Sequence, residues 1–101
     1  YALDRMDFEW EDRFHDLNLK MKPSDYWKRQ SKATFQYDMI GAPMIDDIGL
    51  ETLMWGSDYP HGDGVWPDSD KYIEEQFAGL SADQIHKITC ENAGKFYGLM
   101  S

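Results

Sequence analysis

Cysteine is nearly absent from this chain: Cys90 is the only one among 101 residues, so no internal disulfide can staple it. A lone thiol fits a reducing, cytoplasmic setting, and Cys90 is expected to be a buried structural group rather than a nucleophile. Basic charge is also scarce. Ten Lys and Arg against nineteen Asp and Glu leave a net charge of −9, which excludes the clustered positive field that a nucleic acid or an anionic membrane surface would require. No apolar run approaches the roughly 20 residues needed to cross a bilayer. The opening YALDRMDFEW lacks the basic, apolar and small-residue sections of a signal peptide. Histidine is limited to His15, His61 and His86, with no H-x-H pair, and there are no internal repeats or low-complexity tracts.

Aromatic residues, by contrast, are plentiful. At 15% aromatic and 42% hydrophobic, the chain is too apolar to stay disordered, and a packed environment is expected for Trp10, Trp27, Trp55 and Trp66. Residues 1–101 have the length of one small domain with one modest core. Leu3, Met6, Trp10, Phe14 and Leu17 recur at spacings of three and four, which predicts an amphipathic helix over residues 2–19. Its Asp4, Asp7, Glu9, Glu11, Asp12 and Asp16 then form a solvated acidic face. Pro23 ends that helix and Ser24 offers an N-cap for a short turn carrying Tyr26 and Trp27 inward. Residues 33–37 alternate apolar and polar, with aromatic and β-branched side chains, and read as a strand. A short helix fits residues 41–50. A further helix starts at Pro67 to Ser69 and buries Tyr72, Ile73, Phe77 and Leu80. Ser81-Ala82-Asp83-Gln84 has the form of a capping box opening the last helix, with Ile85, Ile88 and Ala93 inward.

Residues 51–67, ETLMWGSDYPHGDGVWP, hold the chemistry. Leu53-Met54-Trp55 is a continuous apolar run suited to a strand buried on both faces, and it stops on Gly56-Ser57-Asp58 before a Gly- and Pro-rich loop. Strand, short helix, strand over residues 33–56 has the length of a parallel crossover, which puts Asp38 and Asp58 at the same end of one sheet. Loops after parallel strands are where α/β folds place reactive groups. A lone SD-x-P would more simply be a turn, with Asp58 closing an Asx motif before Tyr59-Pro60. Asp63, Asp68 and Asp70 read as turn and N-cap acids, and His86 as a face residue of the last helix.

Two parallel strands with about five helices make an incomplete sheet, since such strands need further neighbours. The arrangement is that of the end of a (β/α)8 TIM barrel, α/β in class, with the rest of the barrel in a longer parent chain. Trp55-Gly56-Ser57-Asp58-Tyr59-Pro60-His61, Trp66-Pro67 and Asn92-Ala93-Gly94-Lys95-Phe96-Tyr97-Gly98-Leu99 resemble the C-terminal part of the amidohydrolase-2 family of metal-dependent hydrolases and decarboxylases. Lys22-Pro23-Ser24-Asp25-Tyr26 and Thr34-Phe35 are similar to the stretch that precedes and forms the seventh barrel strand of that family. The resemblance implies that residues 53–56 are the eighth strand. It also implies that Asp58 is both a metal ligand and the carboxylate that takes a proton from the attacking water or the substrate.

His61 and Trp66 are then candidate substrate-binding residues, the first for a substrate carboxylate and the second as a pocket wall. The implied cofactor is a divalent metal, zinc or manganese, because both accept a mixed His and Asp shell. The implied partner is a small carboxylated or cyclic organic molecule, with the remainder of the barrel and a second copy of the chain as protein partners. A competing reading makes the chain a non-catalytic acidic interaction module that docks through the Trp10 and Phe14 stripe.

One aspartate cannot assemble the three or four ligands of a catalytic zinc site. The 101-residue piece alone is expected to show neither turnover nor stoichiometric tight metal binding. Activity assays and calorimetry with Zn²⁺ or Mn²⁺ check this, and either signal would overturn it.

Overall fold

A computed structural model of the chain describes all of residues 1–101, in two compact units, residues 1–31 and residues 32–101. In the first unit, helix α1 (Ala2–Asp12) is followed by a single 3₁₀ turn at His15–Leu17 and helix α2 (Pro23–Gln30). The expected helix through residue 19 is therefore shorter than its hydrophobic spacing suggested. Glu9, Glu11 and Asp12 crowd its C-terminal turn, with no basic residue there, so the helix dipole opposes extension. Asn18 then takes the left-handed conformation that terminates the following turn. Phe14 and Leu17 fall outside the helix and remain exposed.

Pro23 does not merely end one helix; it begins the next, at the first position, where its missing N–H costs nothing. Lys22, held extended by the following proline, is the N-cap, and Ser24 is not. The cap comes instead from α1. Asp7 accepts hydrogen bonds from the Ser24 N–H at 2.8 Å and the Ser24 hydroxyl at 2.6 Å, so this acid, expected on the solvated face, is a half-buried tie between the two helices. Burial by itself raises its pKa, but the two Ser24 hydrogen bonds, with Lys22 and Lys28 nearby, hold the carboxyl below its ordinary 3.8. Stability from this tie is present at neutral pH and is lost as pH falls through that depressed value.

In the second unit, strands β1 (Ala33–Phe35) and β2 (Leu53–Trp55) pair in parallel, Ala33 with Leu53, Thr34 with Met54 and Phe35 with Trp55. The expected crossover is present, though its helix α3 (Ile45–Ile48) is only a turn long and is followed by a 3₁₀ turn at Leu50–Thr52. Helix α4 (Ser69–Gln76) starts where the sequence places it. The last helix is α5 (Ala82–His86), a π turn at Lys87–Glu91 and α6 (Asn92–Phe96), joined without leaving helical dihedrals. The Ser81–Gln84 capping box is fully formed. The far end closes as a Schellman motif: Gly98, at φ 70°, donates to the Lys95 carbonyl at 3.2 Å and Leu99 donates to the Gly94 carbonyl at 2.7 Å. The Gly-Leu of the chain's ending is thus a helix stop.

Ala42, Ile45, Leu53, Phe77 and Ile88 form the core, with Phe35 and Trp55 packed against it. The Phe77 ring meets Phe35 edge-on at 6.0 Å. Cys90 is exposed rather than buried, because it lies two residues past Ile88, which turns fully inward, and so falls on the opposite side of the helix. Two buried amides clamp the strands to the helices. Gln76 donates to the Gln36 carbonyl at 2.9 Å and accepts the Asp38 N–H at 3.1 Å. Asn92 donates to the carbonyls of Leu50 and Leu53, each at 2.8 Å.

Replacing Asn92 with Ala removes both bonds from a site only 3% exposed and is expected to cost about 1–3 kcal/mol. Asn92→Asp, which keeps the shape but sets a carboxylate against two carbonyls, should cost at least as much. Urea unfolding of both variants checks this, and losses under about 0.5 kcal/mol, the size of a neutral surface change, would contradict it.

Candidate active site

Strand β2 ends at Trp55, and three residues later Asp58 sits at φ 58°, a left-handed conformation that a short polar side chain tolerates better than most. The loop after it is tied to itself. His61 N–H donates to the Asp58 carbonyl at 2.8 Å, Gly64 N–H to the His61 carbonyl at 3.0 Å and Val65 N–H to the Ser57 carbonyl at 3.0 Å. Val65 is buried and anchors the return. Gly64 has to be glycine for this closure, since a Cβ there would lie 2.6 Å from the Ser57 carbonyl oxygen.

Within the loop, His61 Nδ1 lies 2.9 Å from Asp58 Oδ2. Both side chains reach solvent, Asp58 at 44% and His61 at 72% exposure, so the pair is accessible to a ligand. Asp58 stands between two depressions. One, of about 370 Å³, is lined by Thr34, Phe35, Gln36 and Gly56 at the mouths of the two strands. The other, of about 460 Å³, is lined by Tyr59, Pro60 and His61.

Asp38 occupies the equivalent position after β1, at the same end of the sheet. Its Oδ1 accepts the N–H groups of Ile40 at 2.9 Å and Gly41 at 3.0 Å, so one carboxylate oxygen closes the loop after β1. The Asx turn considered for Asp58 is found at Asp38 instead. Asp58 turns its Oδ2 to the His61 ring.

Trp66 does not line either depression. It is 60% exposed, against the expectation of a packed ring, because the loop carries it outward past Val65. Its contact is the Tyr59 ring, with centroids 4.9 Å apart and planes at 60°. Thr34 and Gln36, which sequence reasoning did not single out, line the strand-mouth depression beside Asp58; their place just inside and just past a strand end was the available signal.

The three histidines are scattered, with His15 in the first unit and His86 exposed on α5. No group of three or more His, Cys, Asp and Glu side chains is gathered anywhere. Asp58, a hard oxygen donor open to solvent at a strand mouth, suits one place in a divalent metal's shell, and this chain provides no complete set.

The amidohydrolase family model matches residues 19–99, which takes in both strands, the SDYPH loop and the Schellman ending. The chain belongs to the amidohydrolase-2 family. A search of curated proteins finds no match. Members of the amidohydrolase-2 family are generally metal-dependent hydrolases or decarboxylases. All of α1 lies outside the matched residues.

Gly64→Ala is expected to push the Ser57 carbonyl aside and destabilise the fold by about 1–3 kcal/mol, as overpacking does. Gly62→Ala, where a Cβ would meet nothing within 4 Å, should stay within about 0.5 kcal/mol of the parent. Thermal unfolding compares the two, and equal effects would contradict the closure described.

Proposed function

We propose that the chain is the C-terminal part of a metal-dependent amidohydrolase-like enzyme that hydrolyses or decarboxylates a small carboxylated or cyclic organic substrate. Asp58 carries its proton transfer. The observation behind this reading is the position of Asp58: a solvent-reaching carboxylate at the mouth of β2, between two depressions, with one oxygen held by His61 and none spent on a backbone turn. In this reading β1 and β2 are the last two strands of a (β/α)8 barrel whose earlier strands bring the remaining ligands.

A bound divalent metal, zinc or manganese, would supply Lewis acidity and lower the pKa of a water in the site. Asp58 would hold it through one carboxylate oxygen. The chemistry of this chain's own residues is then acid–base: Asp58 accepts a proton from the attacking water or from the substrate and can return it to the leaving group or product carbon. In this reading the strand-mouth depression, lined by Phe35 and Gly56 among others, takes the small substrate, and the Tyr59–Trp66 ring pair lies on the loop that carries Asp58.

The interaction-module reading has one feature in its favour. In the first unit an open apolar hollow of about 510 Å³ lies between Met6, Trp10, Phe14, Leu17 and Tyr26, and the buried Trp10 Nε1 there has no hydrogen-bond acceptor. That hollow is compatible with the enzyme reading, since a helix outside the sheet can pack against other protein while Asp58 does chemistry.

In the full-length enzyme, Asp58→Asn keeps the size of the side chain and removes its basicity. The rate is expected to fall by at least the 10²–10⁴-fold typical of losing a general base, with the unfolding midpoint little changed. Near-parental turnover in steady-state kinetics would sink the assignment.

A further inference from the structure

The contact between His61 and Asp58 has a geometry that assigns the histidine a narrower task than lining a pocket. Asp58 has its backbone fixed in the left-handed region at φ 58°, so the direction of its carboxylate depends only on its side-chain torsions. The side chain is 44% exposed, so packing covers only part of it. The one group set against it is the His61 ring, with Nδ1 2.9 Å from Oδ2. His61 is in turn held at both ends of its own backbone, its N–H on the Asp58 carbonyl at 2.8 Å and its carbonyl on the Gly64 N–H at 3.0 Å. The ring itself is 72% exposed, so burial of apolar surface is not what it contributes.

We infer that His61 is the positioning residue of Asp58: its Nδ1–H donates to Oδ2, fixes the plane of the carboxylate and presents Oδ1 as the oxygen that takes a metal or a proton. The inference rests on the proposed role of Asp58. It differs from a substrate-carboxylate role for His61, because the ring nitrogen on the loop side is the one set against Asp58 and Nε2 alone is left to solvent. Carboxylates that ligate metals are commonly held this way by an outer hydrogen bond, and losing such a partner typically costs 10–100-fold in activity or metal affinity.

The test uses the amide side chains as surrogates for single ring nitrogens in the full-length enzyme. Asn places its NH₂ where Nδ1 lies, whereas Gln places it where Nε2 lies. His61→Ala and His61→Gln should lower kcat by about 10–100-fold with KM little changed, and His61→Asn should recover most of the loss. Independently of turnover, ¹⁵N-resolved spectra of the metal-free protein should show the His61 proton on Nδ1, and Asp58→Asn should change that signature. A rise in KM with kcat unchanged, equal behaviour of the Asn and Gln variants, or a ring protonated only at Nε2 would each overturn the inference. If Asp58→Asn itself left the rate intact, the underlying reading of Asp58 would fail instead, which the same series of variants separates.

Discussion

The parallel pairing of two three-residue strands is the constraint on which the rest of the second unit depends. Because β1 and β2 run the same way and pair Phe35 with Trp55, both chain exits fall at one end, and Gln36, Asp38, Gly56 and Asp58 are delivered there together. So narrow a sheet has little hydrogen bonding of its own. The strand mouths are held by polar clamps reaching in from the helices and from the strand itself. Gln76 grips the Gln36 carbonyl and the Asp38 N–H, Trp55 Nε1 adds a bond to the same Gln36 carbonyl at 2.6 Å, and Asn92 holds the entry to β2. The Gln76 and Asn92 clamps each bury a polar group that is satisfied only when strand and helix are both in place, which makes the strand mouths depend on the helices.

The two acids at that end divide the work. Asp38 turns its carboxylate back onto its own loop and closes the chain's path away from β1. Asp58 has its loop closed by other means, through Gly64, Val65 and the His61 N–H, so its carboxylate is left with a single side-chain partner. The two carboxylates thus differ in partner, backbone N–H groups for Asp38 and a side-chain ring for Asp58. The family match covers both loops.

Much of this was legible in the sequence wherever a feature is local. The alternation over residues 33–37, of which Ala33–Phe35 pairs as a strand, the apolar run Leu53–Trp55, the Ser81–Gln84 capping box and the inward positions Phe77 and Ile88 all follow from spacing and cap chemistry. The misreadings came where a distant partner decides. Asp7 looked like one acid among many until Ser24, seventeen residues on, claimed it. Cys90 looked inward until the register around Ile88 turned it out. Asn92 and Gln76 carry no local mark of their clamping bonds, which join residues about forty positions apart. The left-handed Asp58 and its bond to His61 were equally invisible, because the loop's closure rests on the close approach of Gly64 to Ser57 rather than on any periodic pattern.

The central claim is that the carboxylate of Asp58, braced by His61, is this chain's contribution to a metal-dependent active site. Its most direct test is a crystal structure of the full-length enzyme loaded with Mn²⁺, with the ion located by its anomalous scattering. The account predicts an Asp58 oxygen in the ion's coordination shell and the His61 ring on the other oxygen. An ion bound elsewhere, with Asp58 turned from it toward backbone N–H groups, would contradict the account.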